Sequence, residues 1–86
     1  MSEENWTVLR MMEWSGGYLE GKGVERGRLD AEHLLADVLG LERLQLYLQF
    51  DRPLQPAELD RYRPLLKRRA QREPLQYILG RAAFRE

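Results

Sequence analysis

In the segment Arg28-Leu29-Asp30-Ala31-Glu32-His33-Leu34-Leu35-Ala36-Asp37-Val38-Leu39-Gly40, the apolar residues Ala31, Leu34, Leu35, Val38 and Leu39 step by three, one, three and one. That spacing follows the helical turn and lays one stripe against a core. Asp30 stands at its start, as N-cap or in the first turn, where a carboxylate meets the positive end of the helix dipole. Gly40 stops the helix. Upstream, Val8, Leu9, Met12, Gly16 and Leu19 share a face of an earlier helix, with Asn5 or Thr7 as its cap. Gly16-Gly17 lies inside that helix and costs it about 1 kcal/mol per glycine relative to alanine, which predicts a close neighbour or a local distortion there. Gly21, Gly23 and Gly27 mark the loop that follows.

Downstream, Leu41 to Phe50 is short and rich in large side chains: Leu41, Leu44, Leu46, Tyr47, Leu48 and Phe50. Apolar groups on several sides predict a central, well-buried helix. A strand is the alternative, since Leu44, Leu46, Leu48 and Phe50 alternate, but no second strand of comparable quality exists to pair with it. Asp51-Arg52-Pro53-Leu54 reads as a turn. Pro56 takes the first position of a fourth helix, where its missing N–H is harmless. Gln55 stands where Ser, Thr or Asp would cap better. Leu59, Tyr62, Leu66 and Ala70 form the buried stripe of that helix. Pro64 falls inside it, and an interior proline costs about 3 kcal/mol. A kink near Asp60 to Arg63, or a split into two segments, is therefore expected. Pro74 opens a last short helix ending at Gly80, and Ala82-Ala83-Phe84 begins something extended. The sum is an all-α fold, a small bundle of about five short helices with consecutive helices antiparallel.

Eighty-six residues make one small domain and not two. Rossmann and barrel enzymes need several βα units and do not fit. Hydrophobic residues at 43% and charged residues at 33% place the chain among globular sequences. The lack of cysteine excludes a disulfide scaffold, a thiolate metal site and a cysteine nucleophile. The single histidine, His33, excludes a site built on two imidazoles and reads as a surface or boundary residue. Ser15 has no histidine partner at a motif spacing. Asp30 and Glu32 point to different sides of a helix and read as solvated or capping groups rather than an acid–base pair. Gly21-Lys22-Gly23 has no strand before it and reads as a turn, not a phosphate cradle. Trp6, Trp14, Tyr18, Tyr47, Phe50, Tyr62, Tyr77 and Phe84 are spaced for core and boundary packing. No apolar run is long enough to span a membrane. Met1-Ser2-Glu3-Glu4-Asn5 lacks an apolar signal core, so the cytoplasm is the expected location.

The net charge is zero but unevenly spread. Residues 1–60 carry six basic and twelve acidic groups, a balance of −6, and residues 61–86 carry eight basic and two acidic groups, a balance of +6. Such a dipolar molecule can present a basic face to an acidic partner. The stretch Arg61 to Arg72 could also follow a nucleic-acid backbone, although Arg61, Lys67, Arg68 and Arg72 would mostly form a solvated helix face. A helix-turn-helix reading of Leu29 to Phe50 fails on its second helix. Leu44, Leu46, Tyr47, Leu48 and Phe50 leave few polar side chains for a major groove. The sequence thus argues against nucleic acid as the partner.

Three blocks carry a resemblance. Arg28 to Gly40 resembles the signature RLDAE-x-LL-x-x-VLG of one family. Leu46-Tyr47-Leu48-Gln49-Phe50-Asp51-Arg52-Pro53-Leu54 resembles its next block. Arg68-Arg69, then Glu73-Pro74-Leu75-Gln76-Tyr77-Ile78-Leu79-Gly80 and Phe84, resembles a third. The family is the release factor glutamine N5-methyltransferases, PrmC or HemK, and the match is to their N-terminal helical domain. The resemblance implies a helical recognition domain over 1–80 and, over 81–86, the start of a linking hairpin to a Rossmann-like catalytic domain that binds S-adenosylmethionine. The full-length enzyme then methylates the GGQ glutamine of class 1 peptide chain release factors. The family's Asn-Pro-Pro-Tyr motif has no counterpart, since Asn5 is the sole asparagine and Trp6 follows it. No catalytic or cofactor residue is carried over. S-adenosylmethionine belongs to the full-length parent, and this chain is expected to be non-catalytic. Its expected partner is the release factor, with Arg61, Arg68, Arg69 and Arg72 as docking candidates on charge grounds, a role that suits the planar donor fork of arginine. Pro64 and Gln55 depart from the family's pattern and bear on the shape of a docking face. The rival readings are a free-standing nucleic-acid-binding domain and a structural support that touches no substrate.

Overall fold

The apolar stripe of the central helix is buried: Ala31, Leu34 and Leu35 are fully inaccessible, Ala36 nearly so, and Val38 and Leu39 half-buried at the edge. The computed structural model describes residues 6–79. It contains α1 (Val8–Gly21), α2 (Gly27–Leu39), α3 (Arg43–Leu48), α4 (Pro56–Ala70) and α5 (Leu75–Ile78), and among the described residues no strand. Helix α2 packs on α1 most extensively and on α4 and α3, while α4 also touches α1 and carries α5. The all-α expectation is met. The expected end of α5 at Gly80 and the linking segment 81–86 lie outside the described residues.

Helices α1 and α2 meet backbone to backbone. A Cβ added at Gly27 would lie 2.7 Å from the Gly16 carbonyl oxygen and 3.0 Å from the Glu20 nitrogen, and one added at Gly16 would lie 3.2 Å from the Arg28 Cα. Gly16 thus has the close neighbour that its position inside α1 predicted. Gly17 beside it faces open space.

Three helices end in one hydrogen-bond pattern. Gly23 donates to Glu20 and Val24 to Leu19 after α1; Gly40 donates to Asp37 and Leu41 to Ala36 after α2; Arg72 donates to Arg69 and Glu73 to Arg68 after α4. This termination requires a left-handed residue. Gly23 (φ 91°) and Gly40 (φ 70°) adopt it freely, whereas Arg72 (φ 72°) does so at a cost of about 1–2 kcal/mol. From that position the Arg72 Nε donates to the Lys22 carbonyl, tying the end of α4 to the turn after α1.

The segment after α3 seats the start of α1. The Val8 and Leu9 N–H groups, which have no partner inside their helix, donate to the Arg52 and Phe50 carbonyls at 3.0 and 2.9 Å. Thr7 is the N-cap and accepts from the Arg10 N–H. Leu54 donates to the Trp6 carbonyl at 2.8 Å, and Thr7 and Pro53 form an isolated antiparallel bridge. At the head of α4, Pro56 takes the first position and Glu58 reaches back to accept from the Gln55 N–H at 2.8 Å, so Gln55 is served by its neighbour.

One expectation is overturned, and one of the two alternatives for Pro64 is not met. Helix α3 is not a buried central helix: Leu46 is inaccessible, but Leu44 and Leu48 remain 68% and 74% exposed and Phe50 50%. Six residues allow one face inward, and Leu46 fills it; the other apolar groups have no second neighbour. Nor does Pro64 split the fourth helix, which runs unbroken from Pro56 to Ala70. Asp60 and Pro64 are both exposed, so the carbonyl that loses its donor lies on the solvent side, where hydration replaces the bond. Tyr62 and Leu66 meanwhile hold the opposite face in the core.

Gly27→Ala should lower stability by about 1–3 kcal/mol, because its methyl meets a backbone carbonyl that cannot move aside. Gly17→Ala should raise it by about 0.5–1 kcal/mol. Thermal unfolding followed by far-UV circular dichroism checks both.

Candidate docking surface

The aromatic residues before and along α1 form one cluster. Trp6 meets Trp14 edge-on, with ring centroids 6.2 Å apart at 70°, and Trp14 stacks on Tyr18 at 5.1 Å and 11°. Trp14 and Tyr18 are four residues apart and share a helix face. Trp6 reaches them because the Leu54 bond fixes its backbone. The Arg10 guanidinium lies 5.3 Å from the Trp6 ring and the Lys22 ammonium 5.6 Å from the Tyr18 ring, within cation–π range. Between this cluster and α4 runs a groove of about 350 Å³, lined by Trp6, Met11, Trp14 and Tyr18 on one side and by Arg63, Leu66 and Lys67 on the other. A second hollow of about 300 Å³ shares Trp6 and Arg63 and continues over Pro53, Leu54, Pro56, Leu59 and Asp60. Trp14 remains 50% exposed, a large apolar surface left to water in so small a protein.

Beneath the groove the core is polar in one place. Tyr62 is inaccessible and donates its hydroxyl to Ser15 Oγ at 2.7 Å, and Ser15 donates to the Met11 sulfur at 3.4 Å. Burial pushes the Tyr62 phenol well above its ordinary value, so it stays a donor.

All four arginines singled out from the sequence have partners within the domain. Arg61 donates to the Val38 carbonyl at 2.9 Å. Arg68 holds Glu73 through both prongs of its fork, and this bond is the main reason that the Glu73 carboxyl sits below its ordinary range. Arg69 donates to Asp30 at 2.9 Å and to the Glu73 carbonyl at 2.7 Å, half-buried between α2 and the end of α4. Arg72 is spent on the Lys22 carbonyl. Arg68, Arg69 and Arg72 stand near the C-terminal end of α4 and Arg61 in its first half, and each has an acceptor within the domain.

Asp30 and Glu32 are correspondingly not solvated, contrary to expectation. They are 8% and 2% exposed, and the two faces of α2 on which they lie are both covered. Asp30 pairs with Arg69; Glu32 accepts from Arg28 Nε at 3.0 Å, from Arg43 Nε at 3.1 Å and from the Tyr47 hydroxyl. Burial alone would raise the Glu32 pKa, but the bonds from Tyr47, Arg43 and Arg28 outweigh it and the net shift is downward. The Tyr47 hydroxyl moves the opposite way, up, through that shared bond.

Arg63 and Lys67 are not among the docking candidates drawn from the sequence, where Lys67 reads as part of a solvated helix face. They sit one turn apart on α4, both exposed, with no hydrogen bond or ion pair to the described residues. Their four-residue spacing was a visible signal that they share a face.

Among the described residues no three His, Cys, Asp or Glu side chains come together. The Gly21–Gly23 turn is filled by the Arg72 guanidinium, which a Cβ on Gly23 would strike, so it is not an open cradle for a cofactor. No described helix is long and apolar enough to cross a membrane.

The PrmC N-terminal domain family matches residues 10–80. The chain belongs to that family. It is 54% identical over 81 residues to the release factor glutamine methyltransferase of Geobacter sulfurreducens, covering 94% of this chain and 28% of that protein. Its identity to the enzyme of the same name from Chlorobaculum tepidum is 43% over 82 residues, 95% of this chain and 28% of that one. For that of Rhodopirellula baltica it is 38% over 79 residues, 92% and 27%. The chain therefore spans between a quarter and a third of the length of these relatives. No solved structure matches it.

Because the Glu32 pKa falls on folding, its contribution to stability is present above the ordinary carboxylate range and is lost as the pH drops through and below it. Glu32→Gln should cost about 1–3 kcal/mol at pH near 7, where buried donors lose a charged acceptor. That difference should shrink as the pH falls below the ordinary carboxylate range toward about pH 3, since the parent carboxyl then moves toward its protonated form. Denaturant titrations at the two pH values check it.

Proposed function

We propose that this domain is the substrate-docking module of a release factor glutamine methyltransferase. It holds the class 1 release factor while a catalytic domain, using S-adenosylmethionine, methylates the GGQ glutamine in the cytoplasm. The observation that carries the reading is the match of residues 10–80 to the PrmC N-terminal domain family, together with an open aromatic groove rimmed by two cations that have no partner among the described residues. A glutamine on a small loop is a slight target. A second contact raises its effective concentration at the reacting centre and fixes its orientation. In this reading Arg61, Arg68, Arg69 and Arg72 act by the field they add to the +6 end of the chain, which steers an acidic partner. Their forks remain on internal acceptors.

A structural-support role draws on one observation, the exposed Leu44 and Leu48 on α3, a four-residue pair suited to packing against another body. Kinetics separate the two. Removing this domain from the full-length enzyme should raise KM for intact release factor by about tenfold or more. The kcat for a short peptide containing GGQ, and the affinity for S-adenosylmethionine, should hold. Equal losses for peptide and intact factor, or a loss of cofactor binding, would instead show that the domain supports the catalytic half.

A further inference from the structure

We infer that the groove between α1 and α4 is the seat of an acidic segment of the protein partner, one that carries a single large apolar side chain between carboxylates. The inference rests on the docking reading for the partner being a protein; the chemistry of the seat comes from the groove. Its floor and one wall are apolar, with Leu66 and Met11 under the half-exposed Trp14. Its other wall carries Arg63 and Lys67, one helical turn apart and without partners among the described residues. Among the described residues no carboxylate lines it. An apolar side chain entering beside Trp14 would bring its flanking carboxylates to these two cations. Aromatic and arginine anchors in a desolvated hollow are the usual carriers of binding energy.

Charge bookkeeping elsewhere sharpens the assignment. Arg28, Arg43, Arg52, Arg68 and Arg69 are all matched to carboxylates inside the domain. Arg63 and Lys67 have no carboxylate partner among the described residues and flank the apolar hollow, where an outside acid can reach them. A single-stranded nucleic acid would need free aromatic faces on which to stack its bases. Here Trp14 and Tyr18 cover each other, Arg10 lies over Trp6 and Lys22 over Tyr18. Each ring thus has a face already engaged within the cluster, which leaves less stacking surface for bases, while half-exposed Trp14 still offers apolar area to a peptide side chain.

The chain has two tryptophans, Trp6 and Trp14, and both line the groove, so intrinsic fluorescence reports its occupancy directly. The 86-residue chain is titrated with a synthetic peptide of Glu and Asp around one central Phe, with its all-Lys counterpart, and with oligouridylate. A saturable tryptophan change with the acidic peptide is expected, weakened about tenfold or more by the double variant Arg63→Glu/Lys67→Glu and less than about twofold by Arg26→Glu. Circular dichroism confirms that the variants keep their helices. Equal binding of the Lys peptide, tighter binding of oligouridylate, or a double variant within twofold of the parent overturns the inference. So does a concentration-dependent tryptophan shift without peptide accompanied by dimer sedimentation, since the groove would then seat a second copy. If the acidic peptide binds as stated but KM for intact release factor in the full-length enzyme ignores Arg63→Glu/Lys67→Glu, the seat stands and the release factor is not its occupant. If domain removal raises that KM while the acidic peptide fails to bind, the docking reading stands and this seat falls.

Discussion

Helices α1 and α2 touch across Gly16 and Gly27 with no side chain between their backbones. Much else follows from that closeness. It brings the leucine stripe of α2 hard against Met12, Leu19 and Val8, and it leaves α2 covered on more than one side. A helix so enclosed cannot solvate the carboxylates at its start. Asp30 and Glu32 must find donors within the protein, because a buried unpaired charge is far costlier than a paired one. Arg69 answers Asp30 from α4; Arg28, Arg43 and Tyr47 answer Glu32 from α2 and α3. The same ion pairs that satisfy the core thus fasten α3 and the end of α4 to it.

This demand also sorts the surface charge. A count of basic residues in the last third of the chain marks out a patch, but the structure divides that patch by function. Arg68, Arg69 and Arg72 hold the turn after α4 in a shape that ordinarily calls for glycine, with Arg72 in the left-handed region and its guanidinium on the Lys22 carbonyl. Arg63 and Lys67 have no such duty and border the tryptophans. The proposed docking face is accordingly a groove with two cations rather than a broad basic stripe.

Much of the fold was legible because helical periodicity is a local signal. The stripes on α1, α2 and α4, the stop at Gly40, Pro56 at the first position of α4 and the tight contact at Gly16 each follow from a few residues of sequence. The errors have a common cause in tertiary context. Leu44, Leu48 and Phe50 look buried by type, but burial needs a second surface, and the bundle supplies one only to Leu46. Pro64 looks like a breaker, but its lost bond points outward beside exposed Asp60. Asp30 and Glu32 look solvated because the arginines that bury them lie up to 39 residues away. The groove was the least legible feature. Trp14 and Tyr18 are neighbours by helical spacing, whereas Trp6 joins them through a bond from Leu54, which no local pattern encodes.

Family membership and geometry meet at this surface: a helical domain of the PrmC N-terminal type, built around an enclosed α2, with an open aromatic face beside two cations that have no partner among the described residues. The most direct test is a nitrogen–proton correlation spectrum of the domain, with and without a class 1 release factor. The account predicts that the two tryptophan indole N–H signals and the Arg63 and Lys67 amides shift, while the α2 amides around Asp30 and Glu32 stay in place. Shifts confined to the exposed Leu44–Leu48 side of α3, with both indoles unmoved, would contradict it.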